Sequence, residues 1–239
     1  MLILMIAQQV QQALQKIATP KKAKASAWFF KTAQGQYGHG DKFRGVTVPE
    51  QRRVAKKFRD LALVELTQLL QSPWHEDRLT ALFILVDQFQ HSTLMQQQVI
   101  VRYYLQHKKY VNNWDLVDSS ADRILGEYLY TTKHSIKRLK VLAMSPSLWD
   151  RRIAIIATYA FIKHGDPKPT LFVARFLQRD KADLIHKAVG WMLREVGNRC
   201  SVQAECAFLD EFYQSMPRTM LRYAIEKFPK ALRLKYLQG

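Results

Sequence analysis

Trp114-Asp115-Leu116-Val117-Asp118 places an indole and a carboxylate four residues apart, a spacing that makes Trp114 and Asp118 neighbours along one side of an α-helix. Asn112 or Asn113, just upstream, can accept hydrogen bonds from the first free N–H groups of that helix. Asp115 and Asp118 then fall in or beside its first turn, where the positive end of the helix dipole favours carboxylates. Val117, Ala121, Ile124 and Leu125 continue the segment as an apolar stripe. An aromatic face beside a carboxylate at the end of such a stripe suits a cationic ligand. Asp118 can equally be an ordinary helix-start acid bonded to backbone N–H groups, and the residues alone leave both readings open. Asp115 lies about 100° round the helix from Trp114 and is expected to stand apart from that pair.

These residues need a scaffold, and the pattern around them is helical. Gly and Pro are scarce, at 9 and 8 residues in 239, and alternating β-type stretches are hard to find, so an all-α fold is expected. Helices are predicted at about 4–18, 21–33, 49–60, 63–71, 75–90, 92–107, 113–130, 134–143, 147–163, 168–178, 181–197, 201–215 and 217–228. Pro49, Pro167 and Pro217 stand near helix starts, where a missing N–H costs nothing. The long irregular segment Gln34 to Val48 carries Gly35, Gly38, Gly40 and Gly45, and a connection of that length is usually functional or mobile.

Helices in pairs invite a search for repeats. Arg78-Leu-Thr-Ala81, Asp115-Leu-Val-Asp118, Arg152-Ile-Ala-Ile155, Lys187-Ala-Val-Gly190 and Arg222-Tyr-Ala-Ile225 align at residues 78, 115, 152, 187 and 222, separated by 37, 37, 35 and 35. That period suits a solenoid of HEAT-like two-helix repeats forming one domain over residues 1–239, with a concave face lined by one helix of each repeat. In the alignment Asp118 occupies a column otherwise filled by Ala81, Ile155, Gly190 and Ile225, so a carboxylate there needs a partner or a purpose.

The balance of 37 Lys and Arg against 20 Asp and Glu gives a net charge of +17, which points to a polyanion, nucleic acid first, because charge of one sign costs self-repulsion in the folded state. No apolar run is long enough to span a bilayer. Met1 to Ala7 is apolar but lacks a basic leader, and it reads as the start of the first helix rather than a signal peptide. Cys200 and Cys206 match no common zinc or redox spacing, and reduced thiols in a cytoplasm fit them best. The seven histidines are scattered and no phosphate-binding or dinucleotide motif occurs, so neither metal nor cofactor is expected.

Four motifs together resemble the DNA alkylation repair enzymes of the AlkD type. They are Trp114-Asp115-Leu116-Val117-Asp118, Trp149-Asp150-Arg151-Arg152, the stretch Ile185 to Glu195 with Trp191 inside it, and the loop Gly40-Asp41-Lys42-Phe43-Arg44-Gly45-Val46-Thr47-Val48-Pro49-Glu50-Gln51-Arg52-Arg53. The resemblance runs from about Phe29 to Glu195. It implies a basic concave face that cups duplex DNA, and an N-glycosylase that removes cationic alkylated purines, the type of 7-methylguanine and 3-methyladenine, without enclosing the base.

Carried over position by position, Asp118 matches the family's catalytic carboxylate, Trp114 and Trp191 match aromatic residues at the lesion-bearing nucleotide, and Arg152 matches an arginine that grips the backbone there. A further family aromatic, often Tyr, falls at Phe29. Lys42, Arg44, Arg52, Arg53, Lys187, Arg194 and Arg222 are candidates for phosphate contact. The expected protein is a monomer acting on duplex DNA that contains alkylated purines. The rival readings are a catalytically silent HEAT-like protein binding bent or branched nucleic acid, and a protein-interaction scaffold.

Overall fold

The computed structural model describes residues 5–133 and 135–238. Every regular element among them is helical, apart from one isolated parallel bridge between Lys42 and Trp74. The chain divides into two compact units, Met1–Ser120 and Ala121–Gly239.

The first unit holds α1 (Ala7–Lys16), α2 (Pro20–Phe29), α3 (Val48–Lys57), α4 (Leu63–Leu70), α5 (His75–Gln90), α6 (Leu94–His107) and α7 (Trp114–Asp118). Local chemistry sets several starts. Thr47 and Glu50 make a reciprocal capping box at α3, with Pro49 in its first turn, and Thr93 and Gln96 make another at α6. α5 is buried along most of its length. Its apolar residues Leu79, Leu82, Ile84 and Leu85 join Leu14 of α1 and Leu66, Leu69 and Leu70 of α4 in the core. His75, Glu76, Asp77 and Arg78, at the start of α5, are buried too, so each of those charges must find a partner inside the fold.

The second unit contains a π-helical segment (Asp122–Gly126) followed by α8 (Glu127–Thr131), α9 (Lys137–Ala143), α10 (Leu148–Ala157), α11 (Tyr159–Lys163), α12 (Lys168–Leu177), α13 (Asp183–Arg199), α14 (Val202–Phe212), α15 (Arg218–Ala224) and α16 (Lys230–Gln238). α13 is its spine, packed on α10, α12, α14 and α15. Gly190 permits a close approach of α15: a Cβ there would collide with the carbonyl oxygen of Met220 and the side chain of Tyr223.

Several helix boundaries differ from those expected of the sequence; α2, for example, ends at Phe29 rather than near residue 33. The single helix predicted at 113–130 is interrupted after Asp118, where the Ser120 hydroxyl donates to the carbonyl of Leu116 (2.6 Å) and the chain resumes as the π-helical turn. There, Gly126 leaves room for the Ala157 carbonyl, which a side chain would strike. The helix predicted at 147–163 breaks at Thr158, whose hydroxyl donates back to Ile155 (2.6 Å). α16 lies beyond the last predicted helix, anchored by the buried Tyr236, whose hydroxyl donates to Asp210 (3.0 Å). The predicted starts at residues 4 and 134 fall outside the described residues. The five aligned tetrads lie on α5, α7, α10, α13 and the end of α15. In their fourth column Ala81, Ile155, Gly190 and Ile225 are buried while Asp118 is half-buried.

Candidate functional site

The Gly-rich connection between α2 and α3 is held by the first turn of α5. The Glu76 carboxylate accepts from the backbone N–H groups of Arg44 (2.9 Å), Gly45 (2.8 Å) and Val46 (3.3 Å). Lys42 adds backbone bonds, its N–H donating to Pro73 (3.1 Å) and its carbonyl accepting from His75 (2.8 Å). Gly45 sits at φ 81°, and a Cβ would strike the Thr19 carbonyl and the backbone of Ala23, so only glycine fits this passage. Asp77 holds the Arg44 guanidinium through two bonds (2.9 and 3.0 Å), and the Gln15 amide oxygen accepts a third (2.6 Å). Arg44, a candidate for phosphate contact in the sequence, thus has its charge met by Asp77 inside the fold.

Beside this loop lies a network that the sequence motifs do not announce. Asp41 accepts from His75 Nδ1 (3.1 Å), Arg78 Nη2 (2.6 Å) and Asn113 Nδ2 (3.1 Å), while His75 Nε2 donates to Asp115 Oδ2 (2.7 Å). Both ring nitrogens face carboxylate oxygens, a geometry only the imidazolium satisfies, since a neutral ring has one N–H. Burial alone would strip His75 of its proton, but Asp115 and Asp41 outweigh it and raise the pKa to about 9. Burial likewise works against the Asp41 carboxylate, yet its bonds from His75 and Arg78 hold its pKa at about 2. Two anions and two cations therefore balance in the interior. Asp115, which the sequence sets apart from the Trp114 and Asp118 pair, is the link between α7 and α5.

The network fixes an aromatic ladder. The His75 ring stacks on Phe43 (4.7 Å between centroids), Phe43 on Phe30 (5.1 Å), and Phe30 on Trp114 (5.3 Å). Phe29 meets Trp114 edge-on at 5.9 Å, and the indole N–H donates to the Tyr37 hydroxyl (3.2 Å). Asn113, fully buried, caps α7 by accepting from the Trp114 N–H (2.8 Å). The half-buried Asp118 ends that helix one turn later. Phe29 and Trp114 are thus brought together, with Asp118 on the helix that carries the indole. Lys42 and Arg53 are exposed, and Arg52 lies over the Phe83 ring at 5.0 Å.

In the second unit Arg152 is buried on α10 and donates to the Leu184 carbonyl (2.5 Å), while its neighbour Arg151 pairs with Asp180 (2.6 Å). Trp191 is half-buried on α13, 6.0 Å from the Tyr159 ring. Lys187 pairs with Asp183 (2.8 Å), and Arg194 with Glu226 and Glu195. Arg222 is exposed. Among the described residues no group of three or more His, Cys, Asp and Glu side chains is arranged to hold a metal ion, and no helix is long and apolar enough to cross a membrane.

A family model described as DNA alkylation repair enzyme matches residues 10–228. Among solved structures the chain is similar to one titled "Predicted DNA alkylation repair enzyme from Enterococcus faecalis", with a TM-score of 0.67 and 17% identity over 89% of this chain and 97% of the other. At that identity the likeness concerns the fold. No curated protein matches the sequence.

Proposed function

The chain belongs to the DNA alkylation repair enzyme family, and from that premise we propose that it is a monofunctional DNA N-glycosylase that excises cationic alkylated purines from duplex DNA. The observation that carries this reading is α7. Its first residue is an indole clamped by Phe30 and Tyr37, its last is the carboxylate of Asp118, and the buried His75–Asp115 bond fixes its start.

A purine alkylated at N7 or N3 is already positively charged. When its C1′–N9 bond breaks, the electron pair passes to the base, which leaves neutral and needs no proton. Ordinary glycoside hydrolysis requires a second carboxyl group to protonate the leaving oxygen; here one carboxylate suffices. Asp118 stabilises the cationic sugar and orients a water whose oxygen bonds to C1′, its proton passing to solvent. Trp114 attracts the cationic nucleotide through its ring face, for about 0.5–2 kcal/mol, and Phe29 extends that apolar edge without the hydroxyl the family often carries there. In the second unit Trp191 is the other aromatic contact and Arg152 the backbone grip, its guanidinium oriented by the Leu184 carbonyl. Exposed cations such as Lys42, Arg53 and Arg222 neutralise phosphates without reading sequence. The protein acts as a cytoplasmic monomer of HEAT-like repeats in base excision repair.

Selection in this scheme follows leaving-group charge. Purified protein is incubated with methylated duplex DNA and, in parallel, with duplexes carrying uracil or 1,N6-ethenoadenine, and the released bases are measured. Release of 7-methylguanine and 3-methyladenine, with uracil and 1,N6-ethenoadenine left in place, is the expected result. DNA binding without release of either methylated base would instead make the chain a silent binder of bent or branched nucleic acid.

A further inference from the structure

Trp28 is the most exposed large apolar side chain among the described residues, at 83% of its surface. It sits in α2, a helix with no buried residue, so the indole contributes nothing to the core of its unit. Leaving a tryptophan in water forgoes one of the largest apolar gains available to any side chain, which marks the residue for a partner.

The surroundings specify that partner. At about 100° per residue, Lys21 and Lys24 lie within roughly 60° of Trp28 round the helix, and all three are exposed. No acidic residue occurs from Pro20 to Gly40. Lys22, on another side of the helix, is the lysine of α2 with an ion pair, to Glu50 at 3.6 Å. The stripe therefore presents two ammonium groups within about one turn, with no ion pair among the described residues, and an open indole face about one turn beyond Lys24. An apolar protein surface would not need the lysines, and an acidic one would not need the ring. A nucleic-acid strand uses both, with phosphates on the cations and a base on the aromatic face. The next residue, Phe29, touches Trp114, so the stripe adjoins the ladder described above.

We infer that Trp28, with Lys21 and Lys24, is a stacking platform for an unpaired base in the bound DNA, additional to the residues at the lesion. A base inside an intact duplex has no free face to offer, so the platform acts on strands with a base already out of the stack, and it biases the protein toward locally opened DNA. The inference rests on the reading that the chain acts on DNA.

The test uses the full chain, two dye-labelled duplexes of equal length, one fully paired and one with a single unpaired adenine, and fluorescence anisotropy at two salt concentrations. Wild-type protein is expected to favour the unpaired-base duplex. Trp28→Ala should weaken that complex by at least about fivefold, as expected for loss of a base–aromatic stack, while changing paired-duplex affinity less than about twofold. Trp28→Phe should retain most of the preference. The Lys21→Ala/Lys24→Ala double variant should weaken both complexes and lower the salt slope by about two. Absence of a wild-type preference, or a preference that Trp28→Ala retains in full, overturns the platform. A parallel measurement of methylated-base release separates the two readings. Trp28-dependent preference without base release leaves the platform standing and removes the glycosylase, and base release with Trp28-independent binding does the reverse.

Discussion

His75 Nε2 donates to Asp115 Oδ2 at 2.7 Å, joining the first turn of α7 to the first turn of α5 across 40 positions of sequence. Asp115 therefore acts on the candidate site from behind, by holding the helix that carries Trp114 and Asp118. Asp115→Asn leaves the buried imidazolium with one carboxylate and is expected to destabilise the protein by about 3 kcal/mol, the scale for breaking a buried ion pair. Urea unfolding of the variant provides the measurement, and an unchanged midpoint with an unchanged slope would show that the bond does not matter to the fold.

The same network makes stability depend on pH. His75 is raised from an ordinary 6.5 to about 9, so its contribution is complete below pH 6.5 and is lost as pH rises through about 9. Asp41 is lowered from 3.8 to about 2, so its contribution is present above pH 3.8 and is lost as pH falls through about 2. The two windows overlap between about pH 4 and 6.5. Thermal melts should show this network's contribution level there and declining toward pH 9. A His75→Gln variant should be less stable at pH 6 and show a shallower alkaline decline; an identical decline would assign the titration elsewhere.

Asp118→Asn should keep the fold and DNA affinity but lower base release at least about tenfold, because an amide cannot stabilise positive charge on the sugar. Single-turnover release from methylated duplex is the readout. Equal rates for the two proteins would remove Asp118 from the chemistry.

In the second unit, Glu205 on α14 is buried against Gly197, where a Cβ would overlap its carboxylate. Burial pushes its pKa from 4.5 up to about 8, and Arg194 offsets only part of that. Its stabilising contribution is complete below pH 4.5 and is lost as pH rises through about 8. Glu205→Gln, nearly identical in shape and neutral throughout, should therefore melt increasingly above wild type as pH rises from 5 to 8. A difference that stays constant over that range would mean that the acid is already ionised in the folded protein.

The all-α class and most of the helices were legible because apolar spacing near 3.6 residues survives in one sequence, and Pro49 marks the start of α3 to within a residue. Spacing cannot register a break that leaves the apolar rhythm intact. Ser120 and Thr158 end helices through hydroxyls bonded to their own backbone, so the pattern runs on past both. Trp114 was legible as a residue set apart by its neighbours Asp115 and Asp118. Its supports were not: Phe30, Phe43 and His75 come from two distant segments, and nothing in His75-Glu76-Asp77-Arg78 alone says which carboxylates those cations will meet. Arg44 shows the converse. A surface-looking arginine in a glycine-rich loop proves to be paired, because Asp77 lies 33 positions away on a helix start that only the fold brings near.

Glu76 grips the 44–46 segment through main-chain N–H groups alone, and this bears on how the chain meets a protease. Lys42 and Arg44, among four glycines, look like an open invitation to trypsin. Cleavage requires the scissile stretch to be drawn out into an extended strand across the enzyme's cleft, and the Arg44–Gly45 bond is flanked by two N–H groups already committed to the Glu76 carboxylate. Digestion after Arg44 should wait for that segment to come away from α5. The rate of this single cut then serves as a gauge of how often the first turn of α5 lets go of the loop.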